Sequence, residues 1–177
     1  MTTYSATKFF DDISKGKIGE QIFVDDFLNF LGIKYTDVTG NQGFQIIDAD
    51  ILAKIGLYEI KTTYKDDKQI IIEEFTNINP ALGPISYGWF YKSKADTLVF
   101  ISKNTRSMIL IPFTEDFRRQ YENIKNNFNL IWNSISIKNN NKWQSAFRKI
   151  PLLEINGFFA YYKKTVQEVD LTRGSHV

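Results

Sequence analysis

The sequence predicts an α/β fold in which a mixed sheet with an antiparallel meander is flanked by helices. Apolar residues recur at helical spacing over roughly residues 15–31 and again after Thr114. Short apolar runs of strand length lie between and beyond these segments, and glycine-, asparagine- and aspartate-containing turns separate many of them. Helices and strands that alternate along one chain are typical of a sheet covered by helices.

The first predicted helix runs from about Lys15 to Leu31, because Ser14 can cap its start and Gly32 can end it. Its apolar stripe consists of Ile18, Ile22, Phe23, Phe27, Phe30 and Leu31. A second helix is expected to begin at the cap Thr114 and to bury Phe117, Tyr121 and Ile124.

Eight strands are expected. They lie near Lys34–Val38, from Phe44 to about Leu52, around Glu59–Lys61, and at Gln69–Phe75, Thr97–Ser102, Met108–Pro112, Ile150–Ile155 and Phe158–Tyr162. The Glu59 strand and the Gln69 strand are expected to be neighbours in the meander, and the last two strands should form a terminal hairpin.

One domain over residues 1–170 accounts for this pattern, since 177 residues with 43% hydrophobic residues can bury one core of ordinary size. Residues 171–177 contain Arg-Gly-Ser-His and are expected to be a tail or an expression scar. No stretch approaches the roughly 20 apolar residues of a membrane span, and the N-terminus lacks a secretory pattern, so a cytoplasmic location is expected.

The composition excludes several kinds of site. The chain has no cysteine, and its one histidine is His176, near the C-terminal end. Disulfides, thiolate nucleophiles, cysteine zinc sites and internal histidine-based triads are therefore excluded. Carboxylates, lysines, hydroxyls and amides remain, and an oxygen-only donor set suits Mg²⁺ or Mn²⁺. A net charge of +2 is too small to predict nucleic-acid binding from the overall field.

One short segment combines two acids and a base. Asp50 ends one apolar stretch, eight residues separate it from Glu59, and Lys61 follows two positions later. On a strand, Glu59 and Lys61 project from one face about 7 Å apart, while Ile60 points to the core. If the two strands pair through the turn at residues 54–56, Asp50 lies beside Glu59, and such carboxylates repel each other unless a cation separates them. The bare spacing, however, also occurs by chance on solvated strand faces.

Glu20 lies off the apolar stripe of the first helix, close to Gly16 and Gly19. Both glycines lower helix propensity where no packing demand is evident, so they indicate a gap through which something can approach the acid closely. An acid early in a helix is also explained by the helix dipole.

With a helix bearing Glu20, a strand ending at Asp50 and the triplet Glu59-Ile60-Lys61, the chain resembles the PD-(D/E)XK nuclease superfamily, from about Lys15 to Ser102. Within that span, Asp50-Ile51-Leu52-Ala53 is similar to the pattern of Holliday junction resolvases. Two further segments, Ile70 to Glu73 and Ser93 to Phe100, resemble phage nuclease variants. The family's proline is absent, because Ala49 precedes Asp50.

The resemblance implies a restriction-endonuclease-like fold and a Mg²⁺- or Mn²⁺-dependent deoxyribonuclease, an endonuclease acting on phage-related, branched or restriction-type DNA as a homodimer. Asp50, Glu59 and the carbonyl of Ile60 would hold the metal, Glu20 would reach it directly or through water, and Lys61 would position the attacking water or neutralise the transition state. Asp48, expected on the same strand face as Asp50, is the alternative ligand.

Other residues are candidates for support or DNA contact, namely Glu73, Lys94 and Lys17. The aromatic segment at Trp89, which could stack on unpaired bases, is better explained as core. The alternative function is a catalytically inactive nucleic-acid-binding or assembly module on the same fold, which would need no metal. A structural phage protein would bind neither metal nor DNA.

Overall fold

The structure is a computed structural model that describes residues 16–63, 68–76, 86–136 and 142–163. Its larger sheet has six strands in the order β1-β2-β3-β6-β7-β10. These strands are β1 (Tyr35–Asp37), β2 (Ile51–Ala53), β3 (Gly56–Thr63), β6 (Thr97–Ser102), β7 (Ser107–Pro112) and β10 (Ala160–Lys163). β3 and β6 are parallel, and the other neighbours are antiparallel, so the sheet is mixed.

The smaller sheet has four strands in the order β5-β4-β9-β8, and all of its pairs are antiparallel. They are β4 (Gln69–Thr76), β5 (Ser86–Tyr87), β8 (Ile131–Ser136) and β9 (Lys142–Pro151). The mixed α/β class predicted from the sequence is therefore observed, with its strands divided between two sheets.

Helices and helical turns connect and cover the strands. α1 comprises residues 16–28, α-helical over 16–23 and π-helical over Val24–Leu28. The others are α2 (Gln42–Ile46), α3 (Trp89–Lys92), α4 (Glu115–Ile124) and the 3₁₀ turns Lys125–Asn127 and Leu152–Ile155. No helix within the described ranges is both long and apolar enough to span a membrane.

The first helix and α4 form in the segments that the apolar periodicity predicts. The predicted end of the first helix at Leu31 is wrong, because α1 ends at Leu28, and Phe30 and Leu31, expected in its apolar stripe, are 63% and 51% exposed. Gly32 adopts a φ of +66° at the end of the turn that follows α1, a conformation that glycine adopts without strain. Thr114 caps α4, since its hydroxyl accepts the N–H of Phe117 at 3.3 Å. The predicted cap Ser14 and the predicted tail at 171–177 lie outside the described residues.

Three strand predictions are wrong. The Gln69 strand does not join the Glu59 strand in a meander; β4 pairs with β5 and β9 in the second sheet, and the antiparallel meander is β1-β2-β3 instead. The expected strand from Phe44 to Leu52 is a strand only at its end, in β2. Residues 44–46 belong to the helix α2, which the Asn41 side chain caps by accepting the Gly43 N–H at 2.9 Å, and a turn follows. The terminal hairpin is absent, since β10 pairs with β7.

Two apolar clusters form the cores, one on each face of the larger sheet. On one face, residues of α1 pack against β2, β3, β6 and β7: Ile22, Phe23, Leu28, Ile51, Ile60, Val99, Ile101 and Met108. On the other face, β6 and β7 pack against α4 and the smaller sheet: Ile70, Ile72, Leu98, Phe100, Ile109, Ile111, Phe117, Tyr121 and Ile150. The second sheet therefore lies over the face opposite α1.

Candidate functional site

The hairpin of β2 and β3 brings Asp50 beside Glu59, as the sequence predicts. Ile51 is paired with Tyr58, and the Asp50 N–H donates to the Tyr58 carbonyl at 2.9 Å. The carboxylate of Asp50 in turn accepts the Ile60 N–H at Oδ2, 2.7 Å away. The geometric part of the prediction is thus confirmed, and one oxygen of Asp50 is held against the strand that carries Glu59.

Glu59 and Lys61 interact on one face of β3. Lys61 Nζ forms an ion pair with Glu59 Oε1, while the residue between them, Ile60, is 6% exposed and packs in the core on the α1 side. Glu59 is itself only 3% exposed. Its second oxygen, Oε2, is buried and has no hydrogen-bond partner among the described residues, so the carboxylate has unused acceptor capacity.

Burial and mutual repulsion disfavour the charged carboxylates. Burial raises the pKa of Glu59 to about 7; the Lys61 ammonium opposes this shift, and Asp50 adds to it. Burial also raises the pKa of Asp50, against the opposing effects of the Ile60 N–H and Lys61. Burial would lower the pKa of Lys61, but Glu59 outweighs it and the pKa is raised. Lys61 is therefore a cation beside two acids that share a desolvated site.

Glu20 reaches the same site from α1. The Thr39 hydroxyl lies 3.3 Å from Glu20 Oε2 and 3.3 Å from the Asp50 carbonyl, so it can donate to either. Burial raises the pKa of Glu20, and the charges of Asp50 and Asp37 raise it further. The structure thus brings Glu20 within electrostatic reach of Asp50.

Asp37 is a site residue that the sequence analysis missed. It ends β1, where it pairs with Ile51, and its carboxylate accepts the Thr39 N–H at 3.0 Å. Its charge raises the pKa of both Glu20 and Asp50. An acid at the end of the strand that neighbours Asp50 was a usable signal, because adjacent strand ends lie at the same sheet edge.

The prediction that Asp48 shares a strand face with Asp50 is wrong. Asp48 follows α2 in a left-handed conformation with a φ of 46°, because α2 replaces the expected strand. Its Oδ2 lies 3.4 Å from Lys92 Nζ. Its charge nevertheless raises the pKa of Asp50 and Glu59, so it borders the site from a turn.

The supporting candidates differ in position. Glu73 comes from the smaller sheet, accepts the Trp89 N–H and lies within electrostatic reach of Lys61; burial raises its pKa despite both contacts. Lys17 lies close enough to Glu20 to lower that acid's pKa. Lys94 is exposed, and its backbone N–H donates to Ile47 at 2.9 Å.

The aromatic segment belongs mainly to the core. Trp89 is 6% and Phe90 is 1% exposed, as the core interpretation of this segment predicts. Trp89 also borders the site, because Lys61 Nζ lies 5.2 Å from its ring centroid, within the range of a cation–π contact.

The described residues contain no preformed group of three or more acidic or histidine side chains that could hold a metal ion. The residues nevertheless fit a hard divalent cation on two observations. The donors are all oxygens, which Mg²⁺ and Mn²⁺ prefer, and Glu59 Oε2 is a buried acceptor without a partner among the described residues.

No family model matches the chain, and no curated protein or solved structure does either.

Proposed function

We propose that this protein is a Mg²⁺- or Mn²⁺-dependent deoxyribonuclease of the PD-(D/E)XK type, an endonuclease that hydrolyses DNA phosphodiester bonds. The observation that carries the proposal is the cluster of the partly buried Asp50 and Lys61 with the buried Glu59, in which two carboxylates with raised pKa values share one ammonium. A structural ion pair needs one acid for one base. A second acid held beside the first favours a site for added positive charge.

In the proposed site, Asp50, Glu59 and the Ile60 carbonyl would hold the metal, and Glu20 would reach it directly or through water. The Ile60 N–H fixes one oxygen of Asp50 and leaves the other for this role. The bound metal would polarise the phosphate and lower the pKa of a water molecule. The carboxylates of Asp37 and Asp48 border this site, and their negative charge favours a cation there.

Lys61 has a role separate from metal binding. Its ammonium is held beside Glu59 and its side chain is 33% exposed, so it can reach both the carboxylates and solvent. A fixed cation at this position can orient the attacking water or stabilise the charge that develops on the phosphate. The raised pKa of Lys61, which Glu59 causes despite burial, keeps it protonated at neutral pH.

The restriction-endonuclease-like fold is part of the proposal. Three features support it: α1 packs on the sheet and carries Glu20, β1-β2-β3 form an antiparallel meander, and the acids and the lysine lie on adjacent strands. DNA is the proposed partner, with a phage-related, branched or restriction-type substrate, and the proposed assembly is a homodimer that presents two sites to two strands.

Cleavage of plasmid, single-stranded and four-way-junction DNA tests the proposal. The wild type and Lys61→Ala are compared in Mg²⁺, in Mn²⁺ and in chelator, and Lys54→Ala, an exposed lysine in the turn of the same hairpin, serves as the matched control. We expect metal-dependent cleavage by the wild type and by Lys54→Ala, and a loss of about 100-fold or more in Lys61→Ala.

Metal binding is measured separately, by thermal unfolding with increasing Mg²⁺ or Mn²⁺. The midpoint should rise in the wild type and rise less in Glu59→Gln. DNA binding that is equal in chelator and in metal, without cleavage of any substrate, would overturn the nuclease proposal and support the binding module instead.

A further inference from the structure

A cavity of about 220 Å³ is lined by residues of both sheets and adjoins the candidate site. β3, β6 and β7 of the larger sheet form one side of it, and β4 and β9 of the smaller sheet form the other. Lys61 and Glu73 line the cavity and also belong to the candidate site. A group bound in the cavity would therefore lie next to the proposed catalytic lysine.

The walls of the cavity are largely apolar and aromatic. Trp89, Phe100 and Phe147 line it, together with Ile71. Ile71 is 45% exposed, whereas Ile70 and Ile72 on the other face of β4 are fully buried. A strand with a buried face normally turns polar residues outward, so the outward-facing Ile71 is an apolar wall that no described element covers.

A few polar groups interrupt these walls. Ser102 lines the cavity, and its buried hydroxyl has no hydrogen-bond partner among the described residues. Gln69 and Lys149, both exposed, lie on the smaller sheet's side. Apolar and aromatic walls with a few polar groups are typical of small-molecule sites. The volume is below the roughly 300–1,000 Å³ of pockets for drug-sized ligands, so it suits a single ring-sized group.

We propose that this cavity binds one unpaired nucleobase of the DNA strand that is cleaved, an inference that rests on the proposed nuclease function. Aromatic walls favour a flat π-system, and stacking accepts any base. Ser102 and Gln69 can hydrogen-bond to a base edge. Lys61 lies 5.2 Å from the Trp89 ring centroid, so a base beside Trp89 would hold its own phosphate near Lys61. Lys149 supplies a second positive charge for the backbone.

The proposal predicts a preference for DNA with an unpaired base. A duplex with one bulged 2-aminopurine and the fully paired duplex of the same sequence are titrated with the full chain in chelator, where no cleavage occurs. We expect tighter binding of the bulged duplex by about tenfold, and a change in 2-aminopurine fluorescence on binding.

Two tryptophan substitutions test the location. Ile71→Trp fills the cavity from its exposed wall and should abolish the preference. Ile55→Trp is the matched control, because Ile55 is 59% exposed in the turn between β2 and β3 and is not among the residues that line the cavity. It should retain the preference. If Ile71→Trp does not fold, Gln69→Trp fills the same cavity from another exposed position.

The outcomes separate this inference from the proposed function. Equal binding of both duplexes, or a preference that survives the cavity-filling variant, would overturn the inference even if Lys61-dependent cleavage is observed. A preference that the cavity-filling variant removes supports the nucleobase site, and it does so even if no substrate is cleaved, in which case the nuclease proposal fails alone.

Discussion

The carboxylate of Asp50 accepts a hydrogen bond from the backbone N–H of Ile60, with 2.7 Å between Oδ2 and N. This bond joins the residue before β2 to the middle of β3, between Glu59 and Lys61. A carboxylate held in this way keeps its position beside Glu59 despite the repulsion between the two acids. The backbone hydrogen bonding of the hairpin therefore holds Asp50 beside Glu59.

The position of this bond predicts that Asp50 and Asp48 are not equivalent. Asp50→Asn should reduce the cleavage rate by about 100-fold or more. The amide oxygen can still accept the Ile60 N–H, but the side chain carries no negative charge to bind a metal. Asp48→Asn should leave most of the activity, since Asp48 lies in a turn and its carboxylate is 3.4 Å from Lys92 Nζ. Metal-dependent cleavage rates of the two variants, compared with the wild type, check this.

The reverse ranking of these two variants would place the metal ligand in the turn after α2. Unchanged thermal unfolding of both variants in chelator is the control, because it separates a loss of activity from a loss of folding.

The raised pKa of Glu59 predicts a pH dependence of stability in metal-free protein. Burial raises this pKa from an ordinary value of 4.5 to about 7, so between these values the folded protein holds a proton that the unfolded chain releases. The free energy of unfolding therefore falls as pH rises through this window. Relative to Glu59→Gln, the wild type should lose about 2–3 kcal/mol between pH 5 and pH 8. Denaturant unfolding of both proteins in chelator measures it.

Glu154→Gln, at an exposed residue, is the control for the substitution itself. A difference between Glu59→Gln and the wild type that is constant with pH would show that Glu59 is charged at little cost in the folded protein. Glu59 and Asp50 would then need no cation between them.

The contact of α1 with β3 predicts opposite effects at two glycines. A Cβ at Gly19 would lie 1.9 Å from Thr62 Oγ1, whereas a Cβ at Gly16 would meet only Glu20 Oε1, at 4.0 Å. Gly19→Ala should therefore destabilise the protein by about 1–3 kcal/mol through overpacking. Gly16→Ala should be neutral or stabilising by up to about 1 kcal/mol, because alanine favours helix.

Chemical denaturation of both glycine variants gives these values, and Thr62→Ala combined with Gly19→Ala should recover part of the loss. If Gly19→Ala is as stable as the wild type, α1 does not pack against β3 as closely as described. In the structure, Thr62 of β3 fills the space beside Gly19. The expectation that packing makes no demand on Gly19 is therefore wrong.

A buried ionic network that joins β4 and β9 of the smaller sheet and contacts α4 predicts unequal effects for two arginine substitutions. Glu74 is 2% exposed and accepts hydrogen bonds from the Tyr121 hydroxyl and from Arg148 Nε, the latter at 2.8 Å. Arg148→Met should destabilise the protein by about 3–5 kcal/mol, because the buried Glu74 side chain would lose its ion-pair partner. Arg119→Ala, which removes an exposed pair with Asp116, should change stability by less than about 1 kcal/mol.

Unfolding midpoints of the two arginine variants, measured side by side, check this difference. Equal small effects would show that water solvates Glu74 in the folded protein.

Several parts of the molecule were predictable from the sequence because they depend on local patterns. Periodicity and capping chemistry predict the stripe of α1 from Ile18 to Phe27 but not its end at Leu28. They also predict the cap Thr114 of α4 and the apolar runs of β6 and β7. The approach of Asp50 to Glu59 was predictable as well, because a tight turn fixes the register of a hairpin. The absence of cysteine and of internal histidine limited the site to oxygen ligands and lysine.

The tertiary structure alone decided how distant segments meet. An isolated strand pattern does not specify its partner, so β4 could be placed in the second sheet only by its pairing with β9. The Asn41 side chain caps helix α2, part of which lies where a strand was expected, and Asp48 therefore lies in the turn after this helix. Glu20, Asp37 and Glu73 reach the hairpin from a helix, an edge strand and another sheet. Their approach depends on long-range packing, which contiguous residue patterns do not encode.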